Sequence, residues 1–163
     1  MKFRSLTVLF VSLVAIASAQ NATQSAFGRG VAQNGDNIRG NFDFEVVKQR
    51  REGSEPVVRG RLAFRSEVPA QRVVTEINLV RPREAAFVVN TKVCEFTGPA
   101  VMVRRSAEGV RRTEGRIAVR VQDRRIEGQG EPDLYRVEFF NAANTRLYRF
   151  DGRVISGNLT VRP

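Results

Sequence analysis

The residues that usually do chemistry are scarce in this chain. None of its 163 residues is His, so it has no His-centred triad, no imidazole acid or base and no His metal site. The single cysteine, Cys94, allows neither an internal disulfide nor a Cys-rich zinc knot. It lies in Lys92-Val93-Cys94-Glu95-Phe96, a strand-like run with no base nearby, and reads as a buried, inert thiol rather than a nucleophile. As an odd cysteine it also raises pairing between chains. Asp123, Glu127, Glu131 and Asp133 cluster around one long connection, but their spacing fits no calcium loop, and turn-forming or solvated acids account for them. Glycoside hydrolysis needs a deep cleft with two carboxyls about 5 to 9.5 Å apart, and nothing marks out such a pair among the 17 acids. Ser with Lys48 or Lys92 would make a dyad, but no motif supports it. No catalytic, cofactor or metal residues are expected, and the protein is read as non-enzymatic.

Arginine is the exception to this scarcity. Of 27 basic residues, 24 are Arg and three are Lys (Lys2, Lys48 and Lys92), giving a net charge of +10. The guanidinium fork matches phosphate, sulfate and carboxylate geometry, so a surface for polyanions is the sharp reading. The candidate residues are Arg59, Arg61 and Arg65 on one strand, with the doublets Arg104-Arg105 and Arg111-Arg112 beside a turn. The plainer reading is that Arg decorates solvated strand faces and is neutralised by acids such as Asp43 and Glu45 on a neighbouring strand. An anionic glycan or envelope polymer is the expected partner. Nucleic acid is disfavoured, because the RNA-binding sheet signature is missing and only two Tyr and no Trp offer stacking.

The elements that must position these arginines follow from the hydropathy pattern. Lys2 and Arg4, the apolar run 6–15 and Ala17-Ser18-Ala19 make a secretory signal peptide over residues 1–19, too short for a stable membrane span. Cleavage after Ala19 takes nineteen residues from 163 and leaves 144, at a net charge of +8. That length supports one domain with a real core. The expected organisation is a polar tail over 20–26 and a single β domain over 27–163, secreted, periplasmic or at the cell surface.

Beyond the tail, apolar residues alternate with polar ones. Ile38, Gly40, Phe42, Phe44 and Val46 share one face and Arg39, Asn41, Asp43 and Glu45 the other. Val58, Gly60, Leu62 and Phe64, then Ile117, Val119 and Val121, then Tyr135, Val137 and Phe139 repeat the pattern. Period two is the signature of half-buried antiparallel strands. Weaker strands are expected at 72–80, 85–96, 146–150 and 158–162. Residues 27–31 read as a glycine-rich arm, and Asn34-Gly35-Asp36, residues 52–56, 106–109, 124–132, 141–144 and Asp151-Gly152 as connections. The fold class is all-β, a single antiparallel β-sandwich or small barrel of about eight or nine short strands.

Several blocks together resemble the post-COAP-type domain, a small all-β module of secreted bacterial proteins. They include Gly28-Arg29-Gly30-Val31, Gly40-Asn41-Phe42-Asp43-Phe44-Glu45-Val46, Arg59-Gly60-Arg61-Leu62-Ala63-Phe64 and Phe96-Thr97-Gly98-Pro99-Ala100. The runs 121–123, 130–137 and 152–161 fit as well. The resemblance implies an extracellular or envelope-associated β domain and brings no catalytic residues. The expected function is a structural or binding module at the cell surface that takes anionic polymers through Arg-rich strand faces. Two alternatives remain. One is a barrel carrying a small apolar ligand among Phe42, Phe44, Phe64 and Phe139, if those rings leave a cavity. The other is an eight-stranded outer-membrane barrel, which would need apolar outward faces.

Overall fold

The structure, a computed structural model, describes residues 22–125 and 130–163. The signal peptide and Glu127 lie outside the described residues. Nine strands follow one another: β1 (Ala22–Asn34), β2 (Arg39–Arg50), β3 (Val57–Val68), β4 (Val73–Leu79), β5 (Glu84–Val88), β6 (Val93–Ser106), β7 (Gly109–Gln122), β8 (Leu134–Asn141) and β9 (Arg146–Arg162). Sequential neighbours pair antiparallel except β4 and β5, β1 pairs β9, and β4 pairs β6. The sheet therefore closes into an eight-stranded barrel with β5 as an added strand, and the sandwich alternative falls.

β4 and β5 behave as one strand position broken by Arg81-Pro82. The Val80 N–H donates to the Pro99 carbonyl at 2.9 Å and the Arg83 N–H to the Thr97 carbonyl at 2.8 Å, so β6 tracks both halves. Proline has no N–H to continue a ladder, which accounts for the break at this point.

The alternation read from the sequence sets the inside. Gly40, Phe42, Phe44 and Val46 of β2 are buried, while Arg39, Asn41 and Glu45 are exposed and Asp43 is half-buried. Tyr135 runs across the interior and stacks on Phe42 at 4.6 Å and on Phe64 at 5.8 Å between centroids. Phe64 meets Phe150 at 5.1 Å, and Phe44 meets Phe96 at 5.9 Å. These rings and Phe139 are buried and fill the barrel, each pair adding specific geometry to its burial.

The strands are longer than the sequence pattern indicated. Residues 22–31, divided in the sequence between a tail and a glycine-rich arm, belong to β1, paired with β2 from Ala22↔Arg50 and with β9 from Ser25↔Arg162. Residues 146–150 and 158–162 are parts of the single 17-residue β9. Asp151-Gly152 lies within it. A Cβ at Gly152 would come within 2.8 Å of the Gln33 carbonyl oxygen, so this glycine serves strand packing and not a turn. Gly157, at φ 95°, sits close to the bulge that resets the β1–β9 register, and its own Cβ would meet the Arg29 carbonyl. Residues 85–96 divide into β5 and β6 at a turn where Lys92 is left-handed, at φ 45°.

Candidate functional site

On the outer wall of the barrel most arginines are spent on acids. Asp43 accepts from Arg29 and from Arg61, the latter at 2.6 Å, and Arg61 also lies 4.0 Å from Glu45. Glu76 on β4 sits between Arg105 at 2.5 Å and Arg65 at 3.8 Å, because the register places it opposite Arg65 of β3 with β6 on its other side. Asp151 takes Arg136 at 2.6 Å and Arg149 at 3.1 Å. The hydrogen bond from Arg29 holds the Asp43 carboxyl below its ordinary 3.8. Burial pushes Asp151 up, but hydrogen bonds from Arg136 and Arg149 outweigh it and hold this carboxyl low as well. Above Ala63, the small residue between Asp43 and Asn78, the wall leaves an open hollow of about 610 Å³ rimmed by Arg29, Asn41, Arg65 and Glu76.

The β6–β7 hairpin is arranged differently. Ser106 faces Gly109 across a turn of only Ala107 and Glu108, which sets Arg104 directly opposite Arg111. Both continue the inward-facing rows of Met102 and Thr113; β4 still accompanies β6 here, with Thr75 opposite Arg104, whereas β7 has already lost β8. Pairing between β7 and β8 begins at Gly115↔Asn141, so residues 109–114 form a free strand edge. Like charges directly opposed in an antiparallel pair oppose folding. Among the described residues neither Arg104 nor Arg111 forms a salt bridge. Glu108 lies in the turn and lines the same hollow of about 460 Å³ without reaching either guanidinium. On the other face of the hairpin, Arg105 is bound to Glu76 and Arg112 lies 3.7 Å from Glu114.

The seven arginines picked from the sequence therefore do not form one patch. Arg61, Arg65, Arg105 and Arg112 are in ion pairs. Arg59 stands alone opposite Val47, low on β3. Arg104 and Arg111 converge, and they form the candidate site. Glu76 does what no sequence pattern revealed, drawing Arg65 and Arg105 from distant segments onto one carboxylate.

The other candidates resolve into structure. Cys94 is fully buried, and burial with Glu95 nearby pushes its thiol up to about 12. Asp133 is buried and accepts the N–H groups of Arg124 at 2.8 Å and Arg125 at 3.1 Å, which pins the long connection. Asp123 accepts the Val161 N–H, and Glu131 binds Arg124 at 2.6 Å. Lys48 was not singled out for binding, although it continues the inward row Phe42, Phe44, Val46 and reaches the Ala85 carbonyl at 2.9 Å. In comparisons with known proteins the chain matches no family model, no curated protein and no solved structure.

Proposed function

We propose that this protein is an exported, non-catalytic β-barrel module that binds an anionic glycan or envelope polymer at the tip of its β6–β7 hairpin. The observation that carries the reading is the facing pair Arg104↔Arg111, neither of which is in a salt bridge among the described residues. A fold that pairs most of its outward strand arginines with acids leaves these two guanidinium groups opposed where sulfate, phosphate or carboxylate groups would relieve their repulsion. Arg112 and the exposed free edge keep further donors close by. The same charges discourage edge-to-edge pairing with another chain.

Three features favour this reading over its rivals. The aromatic rings that would line a carrier cavity stack against one another instead. Charged residues recur in the outward rows of β2, β3 and β7–β9, where a membrane barrel would carry an apolar band. The chain has no His, and its one thiol is inert. Export rests on the signal peptide and on the post-COAP-type resemblance.

The test is binding of the mature chain to an acidic polysaccharide, lipopolysaccharide, heparin, duplex DNA and a neutral glucan across a salt series. One glycan should bind at physiological salt, and the Arg104→Ala/Arg111→Ala double variant should lose at least about tenfold of that affinity. Weak binding to every polyanion, vanishing together with a steep salt slope, would reduce the charge to a generic field and overturn the reading. Preference for DNA would replace it.

A further inference from the structure

The barrel is closed in its upper half and open in its lower half along one seam. Only residues 63–68 of β3 pair with β4. Residues 57–62 pair with β2 and have no ladder partner on their other side, while β5 pairs with β6 alone. A slit thus separates the lower part of β3 from β5. Lys48 projects into it from the inner face of β2 and donates to the Ala85 carbonyl on β5 at 2.9 Å. Its ammonium is close enough to Cys94 to favour the thiolate, so it stands at the edge of the core. Among the described residues it has no carboxylate partner.

The lips of the slit are apolar at their ends and charged between, where Arg59 and Arg61 of β3 and Glu84 of β5 are exposed. Val57 at the start of β3 and Val88 at the end of β5 point outward and are each 49% exposed, and Val80 at the β4–β5 break is 65% exposed. Behind them Val58 and Phe87 are only partly buried against the core. Among the described residues, four of the seven exposed large apolar side chains, Val57, Val80, Val88 and Val89, lie along or beside this unpaired seam. A half-buried ammonium bound only to a neutral carbonyl keeps two donors unspent.

We infer that the slit between β3 and β5 binds an amphiphile with an anionic headgroup, the head on Lys48 and the aliphatic chain along Val57, Val58, Val80, Phe87 and Val88. Charge decides among the occupants. A neutral chain would leave the ammonium without a counter-charge at an apolar boundary, and a cationic one would oppose it. An added β-strand would compete for the Ala85 carbonyl, which Lys48 already occupies. The site is separate from the hairpin and does not depend on it.

The experiment is calorimetric titration of the mature chain with laurate below its critical micelle concentration, beside dodecanol and dodecyltrimethylammonium. Laurate should bind at least about tenfold more tightly than either. Lys48→Met should remove that preference and Lys48→Arg should keep it, with circular dichroism confirming that both variants fold. The Arg104→Ala/Arg111→Ala protein should bind laurate as the wild type does. Equal uptake of dodecanol, an unchanged preference in Lys48→Met, or loss of laurate binding in the hairpin variant would each overturn the inference. So would a dimer that excludes laurate and dissociates on Val88→Lys, which would give the lips to a second copy.

Discussion

The wall arginines and the tip arginines are the same residue type on adjoining strands, and the fold treats them in opposite ways. On the wall, Asp43, Glu76 and Asp151 each collect two guanidinium groups. At the tip, Arg104 and Arg111 face each other across the ladder, and among the described residues neither is in a salt bridge. Exposed ion pairs contribute modestly, about 0–1 kcal/mol each, so their main consequence on the wall is that the guanidinium groups are already occupied. A net charge is therefore a poor guide to a binding surface. What matters is where the counter-charges are missing, and that is decided by strand register.

Reversing the charge at one end of the facing pair should have the largest effect. Arg111→Glu places a carboxylate opposite Arg104, the cross-strand arrangement that stabilises hairpins by about 0.2–1 kcal/mol. The melting temperature should rise while polymer binding at physiological salt disappears. Thermal melts and the salt-series binding assay check both. A variant that melts lower and binds less would mean the hairpin had merely been damaged.

The pattern of Phe42, Phe44, Phe64, Tyr135, Val137 and Phe139 disclosed the barrel's inside, because side chains on a strand alternate with period two whatever the topology. A small barrel was one of the two folds the alternation allowed, but the choice between it and a sandwich was not legible. It depends on β4 pairing with β6 in its upper half while β5 takes the lower half, and no local signal declares such a partner. The ends of β9 were hidden for a related reason. Gly152 looks like a turn residue in sequence and is a packing glycine in space. For the candidate site, the residue types were readable and their grouping was not. The short turn at Ala107-Glu108 sets Arg104 against Arg111, but Ser-Ala-Glu-Gly carries none of the Asn-Gly chemistry that marks tight hairpins. Lys48 could have been found by extending the inward row of β2 by one more step.

The wall itself can be unmade. Glu76→Gln removes the charge that holds Arg65 and Arg105 and should lower stability by about 1 kcal/mol or less, because both guanidinium groups are about half exposed. With two more cations released beside the hairpin, polymer affinity should rise. Chemical denaturation and the same binding assay report the two effects. Unchanged affinity would confine the site to Arg104 and Arg111.

Acid should act on the wall and spare the tip. The folded-state pKa values of Asp43 and Asp151 are depressed, so the stability they contribute is complete above the ordinary value of 3.8 and is lost as the pH falls through their lower folded values. The melting temperature should begin to drop below about pH 4. In Asp43→Asn the drop should be shallower, since one of the two linked protons is no longer taken up. An acid-induced drop equally steep in Asp43→Asn would mean that Asp43 does not carry its share.

The smallest effect should come from Arg112. It lies on the hairpin beside Arg111, yet it faces the other way and has Glu114 at 3.7 Å, with both side chains mostly solvated. A pair of that kind contributes close to nothing to stability. Arg112→Ala should leave the melting temperature unchanged and weaken polymer binding only by the share of one peripheral cation, seen as a slightly shallower salt dependence. If Arg112→Ala cost as much affinity as Arg111→Ala, proximity in sequence would outweigh the facing geometry. The division between spent and unspent arginines would then have to be redrawn along the chain instead of across the ladder.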